Sequence, residues 1–262
     1  MTPPCPVRVA VLASGSTANA ILVEAGSDRI LVDAGLSVEG LDRALADLGV
    51  PIHTLRAVLL THEHEDHARG AGPLARTLGI PVFATPAAAA AAGPALAMTP
   101  VVGFETARPF AVGAMEIEAF PVSHDAADPV GFSITAAGKN LLIATDLGTA
   151  DEVLDPHLAR ADLVILESNY DLGLLHVSRY PWFVKNRILS ARGHLSNDEA
   201  ARALARTAGR HRVICLAHLS EVNNLAPLAR DTVWDALRRA KGSVGPVLVI
   251  PPNGRSGVIT VG

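Results

Sequence analysis

The 262-residue chain is 49% hydrophobic and 18% charged, enough to bury a large core without disulfides or a structural metal. Its net charge of −4 and pI near 6.2 exclude a protein that coats nucleic acid through bulk charge, but leave room for a local basic groove. Two cysteines, Cys5 and Cys215, lie outside any CxxC pair, which excludes a disulfide framework and a Cys-rich zinc site and fits a reducing compartment. Short β-branched runs at residues 7–12, 20–24 and 29–32 predict strands separated by turns at 14–17 and 26–28. Leu41, Ala44, Leu45 and Leu48 recur at helical spacing, and Gly49 and Pro51 stop that helix. Residues 57–60 predict a short buried strand, followed by a helix from Asp66 to about Gly79. The alanine-rich tract 84–98 is broken by Pro86, Gly93 and Pro94 and is too short to span a bilayer. No basic start followed by an apolar stretch is present, so a cytoplasmic protein without membrane contact is expected.

The β pattern returns at 115–120, 130–135 and 140–144. A βα rhythm follows: strand 163–166, helices near 181–190 and 197–207, strand 213–216, a helix near 225–239, and strands 247–250 and 258–261. No linker, charge block or long-period repeat divides residues 1–262, which are expected to form one domain. Two halves of strands-then-helices imply an α/β fold of two packed mixed β-sheets with helices on the outer faces, an αββα sandwich.

Chemistry concentrates where the 57–60 strand ends. His62, His64, Asp66 and His67 fall within six residues. Strand geometry sets His62 and His64 on one face, and a turn into helix at Asp66 would bring Asp66 and His67 beside them. Imidazole and carboxylate suit zinc, manganese or iron. Three more ligand-type residues follow apolar runs: His124, Asp146 and His218. His53, His157, His176 and His211 have no partners at useful spacing and read as surface or core residues.

The His-x-His-x-Asp-His pattern resembles the signature of the metallo-β-lactamase superfamily. That resemblance implies the metallo-β-lactamase sandwich and two divalent metal ions, zinc or manganese with iron also compatible. His62, His64 and His124 would hold one ion, Asp66, His67 and His218 the other, and Asp146 would bridge them. Two such ions can share a hydroxide made at neutral pH and clamp the oxygens of a phosphate or carbonyl centre. Further stretches, Leu12-Ala13-Ser14-Gly15-Ser16, Ile30-Leu31-Val32-Asp33-Ala34-Gly35, Glu167-Ser168-Asn169-Tyr170-Asp171, Gly193-His194-Leu195-Ser196-Asn197 and Ala217-His218-Leu219-Ser220-Glu221-Val222-Asn223-Asn224, resemble the YycJ/WalJ branch. The resemblance implies a cytoplasmic 5′→3′ exonuclease whose partner is DNA, with Tyr170 standing where histidine is expected.

Asp66, His194 and Glu167 are the catalytic candidates. His194 resembles a nuclease histidine that contacts the scissile phosphate or protonates the leaving oxygen, and Glu167 one that orients it. His194 also precedes the helix N-cap at Ser196 or Asn197, where free backbone N–H groups would attract an anion. Between His176 and Arg192 lie Arg179, Lys185, Arg187 and Arg192, interleaved with Tyr180, Trp182 and Phe183 and with no acidic residue. Arg187, Lys185, Tyr180 and Trp182 are therefore expected nucleic-acid contacts, with cations for phosphates and rings for unpaired bases. The alternative is a helix with its rings packed inward. The Ser14-Gly15-Ser16 turn reads as a plain β-turn rather than part of the site. The Asp146–His194 interval has no room for a large β-CASP insert, and no Gly/Pro-rich arm of the ribonuclease Z kind is present. A thioesterase or lactone hydrolase using the same metals is the rival reading.

Overall fold

The strand-rich halves build two seven-stranded sheets. The computed structural model describes residues 6–209, 212–240 and 245–261; Cys5 and His211 lie outside the described residues. The first sheet takes β1 (Val7–Ala13), β2 (Ala20–Ala25), β3 (Asp28–Val32), β4 (Ala57–Leu59), β5 (Val82–Ala84) and β6 (Val101–Gly103). The second takes β7 (Phe110–Val112), β8 (Met115–Pro121), β9 (Val130–Ala136), β10 (Lys139–Ala144), β11 (Leu163–Glu167), β12 (Val213–Ala217) and β13 (Val247–Val249). Strand β14 (Ile259–Val261) returns to the first sheet, antiparallel to β1. Each sheet opens as an antiparallel meander, β1-β2-β3 or β7-β8-β9-β10, and continues with parallel strands.

Side-chain alternation explains the layering. Val7, Val9 and Val11 face the core between the sheets, while Ala10 and Leu12 face the helices. Leu141 and Ile143 repeat this in β10, with Leu142 and Ala144 turned to the outer layer. Strands covered on both faces read as near-continuous apolar runs, which is how the sequence displays them. Helices α1 (Val38–Ala46), α2 (Glu65–Ala68), α3 (Ala71–Leu78) and α4 (Pro86–Ala92) follow strands of the first sheet. Helices α5 (Asp155–Arg160), α6 (Leu172–Val177), α7 (Trp182–Leu189), α8 (Asn197–Arg206) and α9 (Ala226–Arg239) belong to the second half. Apolar residues of α1 and α3 pack on the first sheet, and those of α5, α8 and α9 on the second. Among the described residues no helix is long and apolar enough to cross a membrane.

The helix expected to run unbroken from Asp66 is in fact two, α2 and α3, parted at Gly70. A Cβ at Gly70 would lie 2.0 Å from the Leu36 carbonyl oxygen and 2.8 Å from that of Ala34. Only glycine lets this turn press against the 34–36 loop, and the Gly70 N–H donates to the Ala34 carbonyl at 2.7 Å. Strands β5, β6 and β7, three residues each, and the six-residue α5 and α6 were not expected. They are too short to display a period. His157 is buried and stacked on Phe120, and His53 and His176 are exposed, as read from their isolation.

Cys215 faces the layer between the sheets, where burial pushes its thiol up to about 12. At pH 8 the native thiol should therefore stay neutral and unreactive. Peptide mapping after N-ethylmaleimide treatment should find Cys215 unlabelled in native protein and labelled once denaturant is added.

Candidate metal centre

Strand direction gathers the ligand-type residues. Strands β10, β11 and β12 run parallel, so Asp146, Glu167 and His218, at or just beyond their C-terminal ends, emerge on one edge of the second sheet. His62 leaves β4 of the first sheet, and the Thr61 carbonyl accepts the Val130 N–H at 3.1 Å, which ties that strand end to β9. Asp33, Asp146 and His218 all have positive φ, 60°, 57° and 55°. Left-handed backbone costs an ordinary L-residue about 1–2 kcal/mol, and Asp and His are among the types found there more often. These turns swing side chains back over the sheet edge.

Each of four imidazoles is anchored through its outer nitrogen. Nδ1 of His67 lies 2.8 Å from Asp33 Oδ2, and Nδ1 of His218 lies 2.7 Å from Glu167 Oε1. Nδ1 of His124 lies 3.0 Å from the Gly193 carbonyl, and Nδ1 of His62 lies 3.0 Å from Thr61 Oγ1. Anchoring at Nδ1 leaves Nε2 for the interior of the cluster, the arrangement that metal-binding histidines require. His64 Nδ1 sits 3.0 Å from His62 Nε2. Four sets have ligand atoms within 4.8 Å of one another: His62, His64 and His124; Asp66, His67 and His218; His62, His67 and Asp146; and Asp146, Glu167, His194 and His218. Asp146 Oδ1 is 3.5 Å from His218 Nε2 and 3.8 Å from His124 Nε2, and Oδ2 is 3.1 Å from His67 Nε2. Asp146 Oδ2 and His218 Nε2 are buried yet make no hydrogen bond. Buried polar atoms without partners are costly, and a shared cation would satisfy both. The mixed nitrogen and oxygen donors suit a divalent metal.

The electrostatics agree. Burial, then the neighbouring His67, holds His62 well below the usual imidazole range, so it is a neutral donor. Burial opposes charge on His67, but Asp33 and Asp146 outweigh it and raise that ring well above its usual value. For His218, burial is likewise overcome, by Asp146 and Glu167, and the ring rises to about 9. Burial would raise Asp146, yet His218 and His67 hold it well below the carboxylate range. Protons thus stand in for positive charge around a buried anion.

Glu167 and His194 enter the same space. Glu167 is fully buried, and its Oε2 accepts the N–H groups of Leu147 and Leu195 at 2.9 and 3.2 Å. Its Oε1 meets both His218 and His194, the latter at 2.8 Å. Both carboxylate oxygens thus have partners, two imidazoles on one and two backbone N–H groups on the other. The backbone anion site expected beside His194 is absent, because a capping box closes it. Ser196 Oγ accepts Glu199 N–H, Glu199 accepts Ser196 N–H, and Asn197 N–H goes to the Tyr170 carbonyl.

The sequence profile of the beta-lactamase superfamily domain matches residues 28–218. Exodeoxyribonuclease WalJ of Streptococcus pneumoniae (strain ATCC BAA-255 / R6) is 36% identical over 244 residues, covering 91% of each chain. The chain belongs to the metallo-β-lactamase superfamily, in its WalJ/YycJ branch. Exodeoxyribonuclease YycJ of Bacillus anthracis is also 36% identical, over 93% of this chain and 94% of that one. The metallo-β-lactamase fold protein YhfI from Bacillus subtilis has a TM-score of 0.74 at 22% identity, covering 97% and 99% of the two chains, a likeness of fold.

In this metallo-β-lactamase-fold chain the ligand cluster opens to a cleft of about 260 Å³. His64, Asp66, His124, Asp146, His194 and His218 line it, joined by Tyr180 and Arg187 of the basic segment. Arg187 is about half exposed and donates to Asp125 through Nε and a terminal nitrogen at 2.6 and 3.1 Å. Trp182 is exposed beside the cleft. Lys185 corrects the expectation of a nucleic-acid contact. It is buried, and its ammonium donates to the carbonyls of His176 and Ser178 at 2.7 and 2.8 Å, closing the end of α6. Tyr170 is also buried, against Leu175 and Ile188, behind the site. The Ser14–Ser16 turn, read as plain, belongs to the site: Ser14 Oγ accepts the His218 N–H at 2.7 Å and Ser16 lines the cleft.

Sequence reasoning overlooked Asp33 and Asn19. Asp33 accepts Thr61 N–H at 2.8 Å as well as holding His67, and Asn19 Nδ2 donates to Asp66 Oδ2 at 3.1 Å. Asp33 carried a usable signal, a carboxylate ending an apolar strand just as Asp146 does. Asn19 carried none. Substituting Asp33→Asn should weaken zinc binding about 10–100-fold, the usual effect of losing a ligand's orienting partner. Competition with a chromogenic chelator measures it, and unchanged affinity would detach Asp33 from the site.

Proposed function

We propose that the chain is a metal-dependent exodeoxyribonuclease that hydrolyses phosphodiesters at DNA ends in the 5′→3′ direction. The observation that carries this reading is the convergence of His62, His64, Asp66, His67, His124, Asp146 and His218 on one cleft in a chain 36% identical to named exodeoxyribonucleases. His62, His64 and His124 would hold one divalent ion; Asp66, His67 and His218 a second; Asp146 lies between the two sets. Two such ions, zinc or manganese with iron also compatible, would supply Lewis acidity and make water a better nucleophile near neutral pH.

The chain's own residues handle the proton and the phosphate. His194 lines the cleft, and Glu167 pins its Nδ1, which leaves Nε2 for substrate. Burial works against charge on His194, but Glu167 and Asp146 raise it above the ordinary histidine range. A protonated His194 can contact the scissile phosphate and hand its proton to the departing 3′ oxygen. Asp66, about a quarter exposed at the cleft, offers a carboxylate oxygen to orient the attacking water. Arg187 can exchange its half-exposed Asp125 pair for a substrate phosphate, because such ion pairs contribute little in water.

Hydrolysis of 3′-labelled, 5′-phosphorylated DNA across zinc, manganese and magnesium tests the reading, with a glutathione thioester as the rival substrate. Nucleotide release from the 5′ end is expected; thioester turnover with intact DNA would overturn it. Asp146→Ala should lower hydrolysis by at least ~10²–10³-fold, the scale of removing one preorganised electrostatic stabiliser. Its near-native thermal unfolding would show that the core persists. Arg187→Ala should weaken DNA binding more at low salt than at high salt, measured by anisotropy; a salt-independent loss would assign it to packing.

A further inference from the structure

Three stretches of the sequence hold more amide and hydroxyl side chains than the metal cluster uses: residues 167–169, 193–197 and 217–224. They are far apart in the chain, yet the fold lays them side by side. The Ser168 N–H donates to the Ala217 carbonyl at 3.0 Å, and the Asn169 N–H to the Leu195 carbonyl at 2.8 Å. The Asn197 N–H reaches the Tyr170 carbonyl and the Ser220 N–H the Asn169 carbonyl, both at 2.8 Å. Residues 167–170 are thus the middle of a short backbone ladder, with His194 leading into one flank and His218 within the other.

An extended segment sends alternate side chains to opposite sides. Glu167 and Asn169 turn toward the cleft, the first onto His194 and His218, the second into the cleft wall. Ser168 turns the other way, where its Oγ donates to Asn197 Oδ1 at 2.6 Å. Asn197 and Asn224 exchange amide hydrogen bonds: Asn197 Nδ2 donates to Asn224 Oδ1 at 2.9 Å, and Asn224 Nδ2 to Asn197 Oδ1 at 2.8 Å. Asn224 also donates to the Ser168 carbonyl and accepts the Leu225 N–H, both at 2.8 Å. These three side chains are at most 3% exposed, and none of them lines the cleft.

Apolar side chains would fill the same space, so a polar cluster here has another use. Apolar contact is indifferent to angle, whereas a buried amide is costly unless its partners stand in the right directions. The cluster therefore permits one relative placement of the three segments it joins. They are the residue after β11, the first residue of α8 and the residue before the α9 cap. Glu167 immediately precedes the first, His194 lies three residues before the second, and His218 six before the third.

We infer that Ser168, Asn197 and Asn224 form a lock that fixes the His194 ring against Glu167 and the ligand-type cluster, which makes them positioning residues for the proton donor. This inference rests on the reading of His194 as that donor. Misplacing a catalytic group by about 1 Å can cost about 10²-fold in rate. Asn197→Asp keeps the size and shape of the side chain but sets a carboxylate oxygen against the Asn224 carbonyl oxygen, which undoes the amide exchange.

The loss should concentrate where the departing oxygen needs a proton. In single-turnover assays of zinc-loaded protein, Asn197→Asp should cleave DNA about 10²-fold more slowly. It should lose far less on the p-nitrophenyl ester of thymidine 5′-phosphate, whose leaving group departs as a stable anion. His194→Ala should show the same bias toward DNA, and Asn197→Asp added to it should bring little further loss. Ser168→Ala removes one donor and leaves the amide pair, so it should fold normally and show the bias at smaller amplitude. Equal losses on both substrates, unchanged DNA cleavage in both lock variants, or a full further loss in the His194→Ala background would overturn the lock. Proton NMR reads the same placement without turnover. The His194 ring N–H held by Glu167, assigned by its absence from His194→Ala, should be sharp and downfield in wild-type protein and broadened in Asn197→Asp. If wild-type protein cleaves no DNA, or His194→Ala cleaves it normally, the proton-donor reading fails and this resonance alone decides the lock; an unchanged signal would overturn it.

Discussion

A carboxylate taken wholly out of water organises this molecule. Asp146 is buried between two sheets at a strand end, where an isolated anion would carry a penalty of several kcal/mol even after relaxation. Imidazoles from β4, the loop beyond β8 and the loop beyond β12 surround it, and the rings of His67 and His218 take up charge to compensate. A cation is the better counter-charge, since it also satisfies the nitrogen and oxygen that have no hydrogen-bond partner. Asp33 and Glu167 extend the pattern outward by fixing which nitrogen of each ring faces inward. Much of the fold's apparent peculiarity serves this arrangement: left-handed turns at three strand ends, and close backbone contact at Gly70.

Glu167 couples His218, within the ligand-type cluster, to His194 in the cleft. One oxygen, Oε1, touches both His218 and His194, while two backbone N–H groups hold the other. A shift in either ring is therefore felt by the other through a single rigid carboxylate. The orientations of His194 and His218 cannot be set independently.

The strands were legible because covered sheets write their burial into the sequence as apolar runs, as at β1, β2, β3, β10, β11 and β12. The clustering of ligand-type residues was legible because His124, Asp146 and His218 follow those runs closely. Interruptions of helix were less so: Gly70 looks like any tolerated glycine until Leu36 and Ala34 are seen pressing on it. Lys185 was misread because a cation in a basic segment carries no mark of facing inward, and the carbonyls it closes belong to the preceding helix. Asn19 reaches the site only through the β1–β2 turn, a tertiary proximity that no local pattern encodes. The anion site beside His194 failed because Glu199 supplies its own carboxylate to that helix start.

The ligand sets draw on both halves of the polypeptide, from the turn after β4 in one sheet to the loop after β12 in the other. An ion seated there would be a further tie between two layers joined by apolar contact and by hydrogen bonds such as that from Val130 N–H to the Thr61 carbonyl. Pulling the sheets apart would dismantle the centre, so occupancy and global unfolding are thermodynamically linked. A bound ion would then add its binding free energy to a core that already holds together without it, and resistance to unfolding would rise with free metal concentration.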